Sequence, residues 1–144
     1  MQIDWDLRFL DLAKHVSGWS KDPSTQVGAV IADADNRIVS LGYNGLPRGV
    51  EDSHERLNDR DLKLKLIVHG EINAMAFADR SIRGCTLYTY PFMPCSNCAG
   101  QVIQRGIVRV VSYKNNNERW ATHFVLTEKI FAEAGVQLDL LEKQ

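Results

Sequence analysis

The stretch from Thr86 to Val111, TLYTYPFMPCSNCAGQVIQRGIVRVV, reads as strand, loop, helix and strand in that order. Thr86 to Thr89 is a short β-favouring run, and Pro91 and Pro94 then break any regular element. From Cys95 to Arg105 the apolar residues Val102 and Ile103 fall on a helical pattern, which Gly106 stops. Ile107 to Val111 is a β-branched run of the kind that forms a strand buried on both faces. Two strands joined by a crossover helix place the chain in the α/β class.

Reading outward, the same grammar recurs. Trp5, Phe9, Leu12, Ala13 and Val16 repeat at helical spacing before Gly18. Val27 to Ile31 and Ile38 to Leu41 are apolar runs separated by the polar turn Asp33 to Asn36, which predicts a β-hairpin. Gly42, Asn44, Gly45, Pro47 and Gly49 break all regularity. Glu51 to Lys65 is charged without a clean period and reads as a surface excursion with some helix. From Val68 a helical face of Ile72, Met75, Ala76 and Phe77 is expected to run toward Gly84. Phe124, Val125, Ile130 and Phe131 mark a last helix stopped by Gly135, and Val136 to Leu141 follows as an edge strand. The order α-β-β-α-β-α-β-α-β predicts a sheet sandwiched by helices, with a hairpin at one end and crossover units at the other. Neither a repeat nor a linker interrupts it, so residues 1–144 read as one domain.

Composition narrows the class. With 144 residues, 44% of them hydrophobic, one core can form without disulfide staples. Seventeen Lys and Arg against eighteen Asp and Glu, and a pI near 6.4, deny the chain the overall basic character of a general nucleic-acid binder. Small ligands fit better. Lys63, Lys65, Arg80 and Arg83 form either a local basic patch or solvated surface. Three cysteines, an odd number, argue against a disulfide framework and for a reducing, cytoplasmic setting. No apolar run approaches the ~18 residues that span a bilayer, and none before Trp5 reads as a signal peptide.

Two short motifs carry the chemistry: His69-Gly70-Glu71 and Pro94-Cys95-Ser96-Asn97-Cys98, each expected at the start of a helix. Two thiolates and one imidazole make three ligands, which leaves the fourth tetrahedral position of a Zn²⁺ open, as a catalytic site requires. Cys85, His15, His54 and His123 do not sit at ligand spacing to either motif; Cys85 reads most simply as a small buried residue. Zinc makes hydroxide available at neutral pH, and Glu71, two residues past His69, is close enough to carry protons without ligating. Glu71 also suits a helix N-terminus by charge alone. The paired motifs match the H-x-E and P-C-x-x-C signature of zinc-dependent nucleobase deaminases.

On these residues the chain resembles the cytidine deaminase superfamily, and within it the deoxycytidylate (dCMP) deaminases. The narrower resemblance rests on Ser20-Lys21-Asp22-Pro23 with Gln26-Val27-Gly28-Ala29, and on Gly42-Tyr43-Asn44-Gly45-Leu46-Pro47-Arg48-Gly49. It implies a three-layer α/β/α fold with a five-stranded mixed sheet, hydrolysis of dCMP to dUMP and ammonia, and a homo-oligomer, dimer or hexamer. It further implies His69, Cys95 and Cys98 as zinc ligands and Glu71 as the catalytic acid and base. Some members bind a second, structural zinc through extra Cys and His residues before the H-x-E helix, but Glu51 to Val68 holds only His54 and no cysteine, so one zinc per chain is expected. Asn44 would contact the sugar hydroxyl. Lys21, Ser24 and Thr25 would contact the phosphate, although they also read as a plain polar turn closed by Pro23. The Gly42–Gly49 stretch is associated in the family with dCTP activation and dTTP inhibition.

Two departures stand out. Gly70 occupies a position where the family usually carries Ala. The connection from Tyr88 to Cys95 is one residue longer than usual, so that Tyr90, Phe92 and Met93 either stack on the base or pack in the core. Trp120 and His123 either line a neighbour's site or cap the last helix. The competing readings are a deaminase of another cytosine nucleotide or nucleoside, a nucleic-acid deaminase of the tRNA adenosine type, and a non-catalytic zinc-stabilised protein.

Overall fold

A computed structural model describes residues 4–143. The elements are α1 (Trp5–Ser17), β1 (Gly28–Ala32), β2 (Ile38–Tyr43), α2 (His54–Asn58), α3 (Arg60–Leu66), α4 (Gly70–Ala76), β3 (Thr86–Tyr90), α5 (Ser96–Gln104), β4 (Arg109–Tyr113), a 3₁₀ turn (Glu118–Trp120), α6 (Ala121–Ala134) and β5 (Gln137–Leu141). The five strands lie in the order β2-β1-β3-β4-β5. β1 is antiparallel to both β2 and β3, while β3, β4 and β5 run parallel. This is the mixed five-stranded sheet the resemblance implied.

Strand alternation explains the layering. In β1, every residue of which is buried, Ala29 and Ile31 face one side and Val30 and Ala32 the other. The first side packs with Ala74 and Met75 of α4, Val102 of α5 and Phe131 of α6. The second packs with Phe9, Leu10 and Ala13 of α1. The sheet is thus covered on both faces, as parallel strands require.

Two glycines set how closely helices approach the sheet. A Cβ on Gly28 would lie 2.0 Å from the Ala13 carbonyl oxygen of α1, and one on Gly42 would lie 2.3 Å from the Ala74 backbone nitrogen of α4. The second contact seats α4, and so its N-terminal end, directly against β2. On the α1 side, Arg109 donates to both carboxylate oxygens of Asp6 (3.0 and 2.7 Å) and to Asp139 (2.7 Å), while the Tyr88 hydroxyl donates to Asp6 (2.8 Å). This cluster pins α1 to β3, β4 and β5.

The structure corrects three expectations. The helix after Val68 ends at Ala76, and Phe77 is exposed at its C-cap. Ile82 and Cys85 reach the core from the connection that follows rather than from the helix. Strand β4 begins at Arg109, two residues later than the apolar run. The 51–65 segment carries the expected helix, as two short pieces, but Lys63 on α3 is buried rather than solvated.

Candidate metal and nucleotide site

α4 and α5 bring their N-terminal ends together. His69 is the N-cap residue of α4, so Glu71 falls in the first turn; Cys95 is the N-cap residue of α5, with Cys98 in its first turn. His69 Nδ1 lies 3.1 Å from Cys98 Sγ and 3.6 Å from Cys95 Sγ. One donor atom from each of the three residues falls within 4.8 Å of the others. Tetrahedral zinc with ordinary Zn–S and Zn–N bonds would separate such N and S donors by about 3.6 Å. Spacing and donor softness therefore both fit Zn²⁺, and three protein donors leave one position for a small ligand. Cys85 is buried in the core beneath α4 and α5 and is not one of the cluster.

The electrostatics suit a reactive centre. Hydrogen bonding from the Cys98 thiol, and then from His69, draws the Cys95 pKa down to about 4. Burial pushes the Glu71 carboxyl above its ordinary range, opposed by the nearby His69. A carboxyl raised in this way holds a proton more readily than an exposed one, which suits a proton-transfer role.

A cavity of about 390 Å³ opens from these residues, in the range of small-molecule sites. His69, Glu71 and Cys95 line one part of it, and the 20–27 loop lines another. That loop is organised by buried Asp22. Its Oδ1 accepts from the backbone N–H groups of Ser24 (2.8 Å) and Thr25 (3.2 Å) and from Lys63 Nζ (2.9 Å). Lys63 Nζ also donates to Ser24 Oγ at 3.2 Å. Asn44 braces the loop from the far side: its Nδ2 donates to the Thr25 carbonyl (2.8 Å) and its Oδ1 accepts from Val27 N–H (2.9 Å). One lone pair of Oδ1 is left for a further donor. Asn44, Ser24 and Thr25 all line the cavity, and their polar-turn role and any ligand role coexist.

Two expected contacts fall elsewhere. Lys21 is exposed, pairs with Asp52 at 2.8 Å and is not among the cavity residues. Its neighbour Asp22 is the one that is buried instead. Tyr90 also misses the cavity. As the last residue of β3 it shares a face with Tyr88, on the α1 side, where it meets Tyr113 edge-on at 6.1 Å. Past the bend, Phe92 turns into the cavity and packs against Trp120 (5.8 Å) and Phe124 (5.5 Å). Met93 is buried and not a lining residue.

Sequence reading left this aromatic wall undecided. Trp120 is both the N-cap residue of α6 and a lining residue, and His123 lines the cavity while bonding Ser96 Oγ through Nδ1 at 2.9 Å. Both belong to this chain's own cavity. Arg60 and Arg119, which the sequence did not single out, also line it.

The comparisons agree with this geometry. The profile of the cytidine and deoxycytidylate deaminase zinc-binding region matches residues 3–114. An uncharacterized deaminase in the luxG 3' region of Aliivibrio fischeri is 43% identical over 140 residues, covering 95% of this chain and 93% of that one. The deoxycytidylate deaminase of Mus musculus is 35% identical over 144 residues, covering 93% and 78%. Among solved structures, dCMP deaminase from the cyanophage S-TIM5 in complex with dCMP and dUMP superposes with a TM-score of 0.77 over 98% of this chain and 99% of that one. At 21% identity that likeness is one of fold. By its zinc-binding region and by relatives aligned along almost its whole length, the chain belongs to the cytidine and deoxycytidylate deaminase family.

Proposed function

We propose that this protein hydrolyses dCMP to dUMP and ammonia, as one deaminase domain spanning residues 1–144. The observation that carries the reading is the meeting of a three-donor zinc site with a buried carboxyl, Glu71, in a cavity of nucleotide size. Relatives named deoxycytidylate deaminase at 34–35% identity over 93% of the chain support dCMP as the substrate.

His69, Cys95 and Cys98 would hold the zinc, which when bound supplies Lewis-acid activation of water. Glu71 moves the protons: its carboxylate oxygen accepts one from the attacking water and delivers it to the pyrimidine N3. It then takes the proton of the new C4 hydroxyl and passes it to the amine, so that the C4–N bond breaks, C4 becomes a carbonyl and ammonia leaves. Such shuttling contributes ~10²–10⁴ in rate. The Phe92, Trp120 and Phe124 wall keeps bulk water from the reacting ring and offers it an aromatic face. The remaining lone pair of Asn44 Oδ1 accepts from a sugar hydroxyl. His69 and the two cysteines form one zinc site per chain.

The chain's other expected properties belong to the same proposal. A homo-oligomer, dimer or hexamer, is supported by large apolar side chains exposed on the single chain, among them Ile38, Phe77 and Val125. Response to dCTP and dTTP rests on the Gly42–Gly49 resemblance. A cytoplasmic setting is supported by three free cysteines, and no helix among the described residues is long and apolar enough to cross a membrane.

The test is ammonia release by zinc-loaded protein from dCMP, CMP, dCTP, deoxycytidine and cytosine. Turnover concentrated on dCMP is expected. Turnover of none of them, or of the free base alone, would overturn the assignment.

A further inference from the structure

The chain's net charge is −1, so nothing global draws an anion to the cavity, and the local charge count must do so. Three cations line the cavity: Arg60, Lys63 and Arg119. They are not equivalent. The Lys63 ammonium is buried and already spent on Asp22 at 2.9 Å and Ser24 Oγ at 3.2 Å, with both charged side chains only 5–6% exposed. Its charge and that of Asp22 cancel. Arg60 and Arg119 make no salt bridge and no side-chain hydrogen bond among the described residues. Both are exposed, at the solvent side of the cavity, and they come from separate elements, α3 and the 3₁₀ turn before α6.

Asp59, Asp61 and Glu118 neighbour the two arginines in the chain but do not line the cavity, and none forms a salt bridge with them. Asp22 and Glu71 are the acidic residues lining the cavity. The first is neutralised by Lys63, and the second is buried beside the metal ligands. The solvent side of the cavity therefore carries two free guanidinium groups and no free carboxylate. Each guanidinium presents N–H donors in a planar fork matched to the oxygens of a phosphate. A cavity of about 390 Å³ takes one nucleotide rather than a strand.

We propose that Arg60 and Arg119 are the specificity-determining pair that grips the 5'-phosphate of a nucleoside monophosphate, in place of Lys21. This rests on the deaminase reading of the same cavity and adds which residues make a monophosphate preferred over a nucleoside. Lys63 acts indirectly, by holding α3 against the 20–27 loop so that Arg60 reaches the cavity. Because both arginines are exposed, the grip weakens with salt.

The experiment measures binding of the product dUMP and of deoxyuridine by calorimetry, using zinc-loaded wild-type protein, R60Q, R119Q and the double variant. Binding separates this claim from the reaction, which is scored on the same preparations as ammonia release from dCMP. The expected result is a preference for dUMP over deoxyuridine that falls ~10-fold in each single variant and further in the double. Wild-type preference should also shrink as salt is raised. An undiminished preference in the double variant, or wild-type protein that binds dUMP no better than deoxyuridine, would overturn the proposal. If wild-type protein releases no ammonia yet loses its dUMP preference in the variants, the phosphate grip stands and the deaminase reading falls.

Discussion

The metal end and the solvent end of the cavity are built in opposite ways. At the metal end, His69, Glu71, Cys95 and Cys98 come from two short contiguous motifs at the starts of α4 and α5, helices whose inner faces pack on the sheet. At the solvent end, Arg60 at the start of α3, Phe92 after β3 and Arg119 in the 3₁₀ turn come from three segments separated by tens of residues, and the two arginines are exposed. Rigid helix ends hold atoms that must meet within bond-making distance. Loops and long side chains hold the groups that choose among substrates, where an ångström of play costs less. On the proposed reading, the difference is one between reaction and selection along the length of one cavity.

That separation can be broken by experiment, beginning at the metal end. Cys98→Ala should abolish both zinc retention and turnover, because two donors cannot hold the site at ordinary metal activity; metal analysis alongside dCMP turnover checks it. At the junction of the two ends, Lys63→Met strands the buried Asp22 carboxylate and should cost about 3–5 kcal/mol of stability. Denaturant unfolding measures this, and Asp22→Asn combined with Lys63→Met should recover part of the loss. At the selective end, Phe92→Ala should weaken nucleotide binding by about 1–3 kcal/mol, the scale of a lost base–aromatic contact, and should raise KM more than it lowers kcat.

The smallest expected effect is a control outside the cavity. Arg109→Ala should cost about 1–2 kcal/mol of stability, after discount for side chains 27% exposed, and leave zinc binding intact. Its sign with pH follows from Asp6, whose carboxyl is held below its ordinary range first by the Arg109 hydrogen bond. The contribution is present in full above the unfolded value near ~3.9 and is lost as pH falls through the folded value. The variant should therefore show a flatter loss of stability on the acid side than the wild type.

The same contrast explains what the sequence disclosed. His69 and Cys95 follow breaks in the apolar pattern and precede periodic helices, so their places as N-cap residues were readable locally, as was the left-handed Gly135 that closes α6 at φ 78°. The length of α4 was not readable, because Ile82 continues an apolar rhythm from a loop. Lys63 was hidden because its partner Asp22 lies 41 residues away, and a charged run carries no sign of which member is buried. Tyr90 and Phe92 are two apart and similar in kind; only the bend between them sends one to α1 and the other into the cavity. Arg119 and Trp120 sit in a 3₁₀ turn within a polar stretch, where neither period nor propensity marks them.

The central claim is that Glu71 performs the proton transfers without holding the metal. Its most direct test is the dCMP turnover of Glu71→Gln, measured on the same preparation as its zinc content. The account predicts one zinc per chain in both proteins and a turnover in the variant lower by ~10²–10⁴. Turnover close to wild type with zinc retained would contradict the role of Glu71, and loss of zinc in the variant would make Glu71 part of the metal site instead.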